Sequence, residues 1–306
     1  MNSKRLLKKA ASPQESFKEN LPCYIMIAPF ILLFILFLII PIAASVILSL
    51  FDFDMVSAPR FIGFTNYFRM FFDDEVFVTI VKNTLVLALI TGPVGFALSF
   101  VLAWFLNEFK PMVRTVLSFM FYCPALIGNA YYIWQVAFSS DSYGYVNSSL
   151  ISLGFLDKPV TWLSNADYII PIVVIIQLWS GLGISFLANI SGLQNVNIEL
   201  YEAGAIDGIR NRWQELWFVT LPLMRESLMF SAVMSITGAF GVGGVITGLC
   251  GFPSTGYAVH TIMHHLEDYG GMRYEMGYAS AIATVLFLVM IITNKVIQKL
   301  LRKVGN

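Results

Sequence analysis

Three histidines and two acids crowd together late in the chain: His260, His264, His265, Glu267 and Asp268. On a helix, His260 and His264 would share a face, the arrangement that suits two imidazole ligands of one zinc ion. A zinc protease also needs a glutamate directly after its first histidine, and Thr261 stands there instead. No metal site is expected from the cluster, and Asp73, Asp74 and Glu75 read as a solvated turn. No Gly-x-x-x-x-Gly-Lys-Ser/Thr run occurs anywhere, so the chain carries no nucleotide cradle of its own. No catalytic residue and no cofactor is expected in this chain.

A second set of residues suits recognition better than catalysis. Gln177, Gly181, Ser185 and Asn189 recur every four residues, a polar stripe winding slowly along one helix, with Trp179 beside it. Upstream, Asn129, Tyr132 and Gln135 lie close to Tyr131 and Trp134. Amides that hydrogen-bond hydroxyls, together with aromatic faces that stack on C–H surfaces, suit a neutral sugar better than an ion. Polar groups within a membrane tend to face a bundle interior or a water-filled cavity. The same residue types also glue helices together or sit in interfacial belts, and for any single residue packing is the commoner role.

The third set is the stretch "YEAGAIDGIRNRWQELWFVTLPL", Tyr201 to Leu223, which holds Glu202, Asp207, Arg210, Arg212 and Glu215 between two nearly uncharged runs. It reads as a helix over Glu199–Ile209, a turn at Gly208, where glycine reaches positive φ without strain, and a second helix over Trp213–Thr220 closed by Leu221-Pro222.

The elements that must position these sets follow from composition. Of 306 residues, 57% are hydrophobic and 12% charged, against about 25% charged in an ordinary soluble domain, and mean hydropathy is +0.73. A bilayer core takes about 20 apolar residues of helix. Uncharged windows run at 20–51, 83–107, 115–140, 168–198, 227–266 and 276–294. They predict an all-α membrane protein with helices near 24–50, 77–106, 112–138, 167–192, 217–245 and 276–300. These runs are too long for strands and do not alternate, which excludes a β-barrel. The first is also about twice the length of a signal peptide's apolar core. Cys23, Cys123 and Cys250 are isolated and odd in number, so no disulfide framework is expected.

Net charge is zero, which makes no case for nucleic acid. Yet fourteen of the 19 basic residues fall on one side of a six-span topology, in 1–20, at Lys110 and Arg114, at Arg210, Arg212 and Arg225, and past residue 294. By the positive-inside rule that side is cytoplasmic, and with it both termini and the Tyr201–Leu223 stretch. Residues 1–20 read as a basic cytoplasmic tail, and 21–306 as one membrane domain with a cytoplasmic loop at 198–222.

That loop carries a resemblance. Glu202-Ala203-Gly204, then Gly208, then Val219-Thr220-Leu221-Pro222 resembles the EAA loop of permease subunits of ABC importers, and "GLQNVNIELYEAGAIDG" looks like its carbohydrate-importer version. Asn83-Thr84 and Trp179 are also similar to that family, and the likeness covers about 77–300. Two departures stand out. Gly204 replaces the usual second alanine, and ten residues separate Gly208 from Val219 where the pattern has nine. One extra residue turns a helix by about 100°, and the turn at Arg210–Arg212 is the expected place for it to be absorbed.

The resemblance implies a type I importer permease fold in a bacterial cytoplasmic membrane. Glu202, Ala203, Gly204, Asp207, Gly208, Arg210 and Arg212 would form the coupling surface for a separate ATPase that binds ATP and magnesium. It further implies a second, homologous permease, two ATPase copies and an external solute-binding protein as partners, and a sugar or oligosaccharide as cargo. Asn129, Tyr132, Gln135, Gln177, Trp179, Ser185 and Asn189 are the candidate path residues. The alternatives are an importer of another small polar solute, or an ion-coupled carrier, for which a mid-span carboxylate would be the clue; none stands there.

Overall fold

The computed structural model describes residues 20–301; most of the 1–20 tail, and Arg302 and Lys303, lie outside the described residues. Helices dominate because an uncharged run in lipid must satisfy its backbone bonds within itself. Three helices are long and continuous: α1 (Leu21–Leu48), α3 (Phe77–Asn107) and, at the C-terminal end, Met276–Leu301. Between α1 and α3, a two-residue hairpin pairs Phe51–Asp52 (β1) with Arg60–Phe61 (β2), and α2 (Thr65–Phe68) runs into a π-helical turn at Arg69–Asp73.

The other predicted spans are broken. Where a continuous helix is expected over 112–138, α4 (Pro111–Leu126) and α5 (Tyr131–Ala137) meet at 84°. Pro124 and Gly128 weaken the helix at that point. The 167–192 helix is α7 (Ala166–Ser180) and α8 (Gly183–Gln194), bent by 44° at Gly181-Leu182, with α6 (Tyr145–Ser152) in the loop before it. After α9 (Ile198–Ile206), α10 (Arg212–Leu223) turns by 82° at Met224 into α11 (Arg225–Phe240). The span expected at 217–245 therefore begins at Arg225, and Pro222 lies inside α10 rather than ending it. α12 (Gly243–Cys250), α13 (Ile262–Glu267) and α14 (Met276–Leu301) follow among the described residues. By length and composition these are three spans, or up to six if each bent pair crosses once.

α3, α8 and α11 pack closely at the centre. Towards the α9–α10 end, here called the loop end, Ala103, Leu106, Phe186, Ile190, Met224 and Leu228 form one core. At the opposite end, called the histidine end, Met70, Phe77, Ile80, Ile236, Tyr278 and Ile282 form another. Most of α1 lies exposed, and its last turns at Ile40–Leu48 pack on α14.

Candidate functional site

The loop end is built from local signals. Asn197 caps α9 by accepting a bond from the Glu199 backbone at 3.1 Å. At the other terminus Gly208 takes φ +97°, its N–H bonds the Ala205 carbonyl at 3.3 Å, and the Ile209 N–H bonds Gly204 at 3.0 Å. This is a Schellman closure. A Cβ on Gly204 would lie 3.0 Å from Ile209 Cδ1 and 3.3 Å from Val219 Cγ2. The glycine at that position lets Ile209 and Val219 close over α9. Asn211 then caps α10 through the Gln214 backbone at 2.8 Å, while Gln214 accepts from the Arg210 N–H at 3.0 Å.

The turn at Arg210–Arg212 is thus closed at both sides by ordinary caps. A π-helical turn runs over Leu216–Thr220 and includes Val219. Such a turn holds one residue more than an α turn.

Glu202, Ala203, Asp207, Gly208, Arg210 and Arg212 all lie exposed, and Gly204 is buried beneath them. Arg212 bonds Glu215 at 2.6 Å and also pairs with Glu108 just past α3. Burial is the largest single influence and opposes its charge, but Glu108 and Glu215 together outweigh it, holding the guanidinium above its ordinary pKa. Trp213 meets Trp104 with ring centroids 5.5 Å apart. The knuckle is therefore fastened to the end of α3 while its tip stays open. Glu108, Asn197, Asn211 and Trp104 were not singled out in the sequence; the Asn caps had a local signal, whereas the Arg212 partner needed the fold.

The polar set divides in two. Ser185 and Asn189 are buried in a network between α8, α3 and α11. Asn189 Nδ2 donates to Ser99 Oγ at 3.0 Å and Ser231 Oγ at 2.9 Å; Ser185 Oγ donates to the Ser231 carbonyl at 3.1 Å, and Ser231 Oγ returns one to Ser185. These two residues hold helices together. Gln177 lies instead on a cavity of about 30 Å³ with Thr91, Gly95, Gly181 and Ser235, and its Oε1 is buried without a partner. Asn129, Tyr132 and Gln135 are exposed around the α4–α5 bend. Trp134 meets Trp179 edge-on at 5.5 Å, and both Tyr131 and Trp134 pack on the Leu87, Ile172 and Ile246 core.

The histidine end joins distant segments. Asn83 Nδ2 donates to the carbonyls of Tyr257 at 2.8 Å and His260 at 3.1 Å, and Thr84 Oγ1 accepts from the Ile262 N–H at 2.9 Å. α13 starts only at Ile262, so His260 precedes the helix. His264 Nδ1 instead forms a capping box with Thr261, 2.8 Å from its hydroxyl. Both rings are buried, and burial first, then the neighbouring histidine, lowers each pKa to about 4. Among the described residues no group of three or more His, Cys, Asp and Glu side chains could hold a metal ion.

Asp74 departs from the expected solvated turn. Its carboxylate is buried, accepting from His265 Nε2 at 2.7 Å and from the Tyr278 hydroxyl at 2.8 Å. Burial alone would raise its pKa, but these bonds outweigh it and hold the carboxyl below its usual range. The reason for the difference is tertiary: α14 brings Tyr278 over a turn whose own sequence is merely polar. Arg69 pairs with Glu275 at 2.5 Å and lies 4.3 Å from the Tyr278 ring centre, closing the same layer.

The chain is thus a largely helical bundle knit at its centre through Asn189, with a helix–turn–helix projecting at one end. Residues 95–304 match the family of binding-protein-dependent transport system inner membrane components, and the chain belongs to that family. It is 31% identical over 279 residues to the arabinooligosaccharides transport system permease protein AraP of Bacillus subtilis (strain 168), covering 90% of this chain and 87% of that protein. It is 30% identical to the probable ABC transporter permease protein YesP of the same organism, covering 89% and 88%. The fold is also that of the crystal structure of a bacterial ABC transporter involved in the import of the acidic polysaccharide alginate, with TM-score 0.76, 24% identity, and 96% and 99% of the two chains covered. The protein is an ABC importer permease, a membrane subunit that is not itself an enzyme, with ATP hydrolysis carried by a separate subunit.

Proposed function

We propose that this permease conducts a neutral sugar or oligosaccharide across a bacterial cytoplasmic membrane, with both termini and the α9–α10 knuckle on the cytoplasmic side. Its partners are a second, homologous but different permease, two copies of an ATPase that bind ATP and magnesium, and an external solute-binding protein. The observation that carries the reading is the knuckle. It is a pre-folded, exposed helix–turn–helix, fastened to α3 and continuous with α11, as a rigid-body coupling between motor and membrane requires. Glu202 and Asp207 offer charge-assisted hydrogen bonds to an ATPase cleft, and Arg210 and Arg212 add cationic edges.

The cargo class rests on the arabinooligosaccharide relative and on the exposed group Asn129, Tyr132 and Gln135. These line the face a second permease would complete into a path, with Gln177 and Trp179 behind it. Ser185 and Asn189 support that wall through their helix contacts. A mid-span carboxylate for ion coupling is absent from the sequence.

The test is to co-express the chain with the permease, ATPase and binding protein encoded beside it and to reconstitute the purified assembly. Labelled oligosaccharide should accumulate only with ATP and binding protein present. Glu202→Ala and Gly208→Val should leave ATP hydrolysis running while uptake is lost. Unchanged uptake in both variants would refute the role given to the loop, and failure of any ATPase to co-purify would refute the whole reading.

A further inference from the structure

The segment between α1 and α3 keeps a large apolar surface on its outward side. Its inward face sets Met70 in the core beside polar side chains that are tied down. Asn66 is buried and its Nδ2 donates to the carbonyls of Ser49 at 2.9 Å and Phe51 at 3.0 Å; the Tyr67 hydroxyl donates to Ser49 Oγ at 2.7 Å. Arg69 reaches Glu275, and Asp74 reaches His265 and Tyr278. The outward face is apolar. Phe64, Phe68, Phe71 and Phe72 fall at i, i+4, i+7 and i+8, a single helical stripe, and are 66%, 62%, 55% and 79% exposed. Phe61 on β2 and Val56 in the hairpin add to it, and an apolar groove of about 240 Å³ runs between the rings.

The position of this face says what covers it. β1 begins three residues beyond α1, and α3 begins at Phe77, so the segment is tethered at both ends to spans at one membrane boundary. The exposed apolar side of α1, including Val46 and Ile47, leads through Phe51 to Phe61, whose ring meets it at 5.4 Å. The aromatic patch therefore continues the exposed apolar surface of α1. Its exposed charges, Asp52, Asp54, Arg60, Asp73 and Glu75, are mostly acidic, the opposite of a segment drawn to anionic headgroups.

We propose that residues 61–72 form an interfacial anchor that beds its phenylalanine face in the leaflet at the histidine end, with a lipid acyl chain in the groove. Binding is driven by apolar burial, so it is insensitive to salt and to anionic lipid. Arg69 and Asp74 on the inward face tie this anchor to Glu275 and to Tyr278 of α14, so the lipid leaflet and α14 are mechanically joined.

The experiment uses the reconstituted transporter with Cys23, Cys123 and Cys250 replaced by serine, and a bimane label on Phe68→Cys, Phe72→Cys or, as the aqueous control, Glu75→Cys. Phosphatidylcholine brominated near the carbonyl end of its chains should quench the labels at 68 and 72 by roughly half or more, as expected for a depth of about 5–10 Å. The label at 75 should be quenched chiefly by aqueous iodide. High salt should change neither result. Iodide quenching at 68 and 72 equal to that at 75 would overturn the proposal, and so would protection from both quenchers, which would mean that another subunit covers the face. On the unmodified transporter, a phosphatidylcholine bearing a photoreactive group near its headgroup should tag peptides within 61–72. Tagging of α1 without tagging of this segment would overturn it equally.

Discussion

The two ends of the bundle are fastened by opposite means. At the loop end almost every bond is local: an Asn cap, a Schellman turn, a second Asn cap and exposed ion pairs all fall within Asn197–Glu215, with Glu108 as the exception. At the histidine end the bonds span the sequence, joining Asp74 to His265 and Tyr278 in a buried site, Asn83 to His260, and, at a half-exposed edge, Arg69 to Glu275. A locally closed unit can move as a body without losing its own shape. A layer tied across long sequence distances holds separate helices in one arrangement. Substitutions at the first end should therefore cost coupling, and at the second, stability.

The sharpest way to break that contrast is Asp74→Ala, which leaves the buried Tyr278 hydroxyl and His265 ring without their shared acceptor. It should lower unfolding stability by about 3 kcal/mol, read as an earlier thermal transition in detergent. Acid offers the same test without mutation. All three histidines lie at this end, and His260 and His264 have pKa values lowered from 6.5 to about 4. As pH falls from about 6.5 toward 4 the unfolded chain takes up protons that the folded rings refuse, so stability falls across that window. The depressed Asp74 carboxyl adds a further loss at still lower pH, as it too becomes protonated. His260→Phe combined with His264→Gln should flatten the upper part of the profile.

At the centre, Asn189→Ala removes the bonds to Ser99 and Ser231 and should cost about 1–2 kcal/mol. Gly208→Ala forces a side chain into positive φ and should cost about 1 kcal/mol, while uptake per ATP hydrolysed falls far more. Arg212→Ala should be smallest, below about 1 kcal/mol, because its ion pairs face solvent. A large stability loss from Arg212→Ala, or a negligible one from Asp74→Ala, would remove the contrast.

Much of this was readable beforehand where the signal is local. Uncharged runs located the helices, and the charged stretch with Gly208 located the knuckle. What escaped depends on contacts between distant segments. Pro124 with Gly128, and Met224, bend helices that hydropathy alone reads as continuous. Asp74 reads as a solvated turn because Tyr278, which buries it, lies 204 residues away. Ser185 and Asn189 read as a possible path because an amide facing a cavity and one facing Ser99 have the same sequence signature.

The right-angled junction at Met224 makes α10 and α11 a bell crank. The pivot is buried, with Met224 at 1% exposure, and the 16-residue arm beyond it is about 24 Å long. A tilt of about 10° at the knuckle would swing the far end of that arm by roughly 4 Å at this length. It would also turn a push directed across the membrane surface into a sideways sweep within it. The gearing is set by arm length, so inserting a full turn of helix into α11 should change the stroke delivered for each ATP spent.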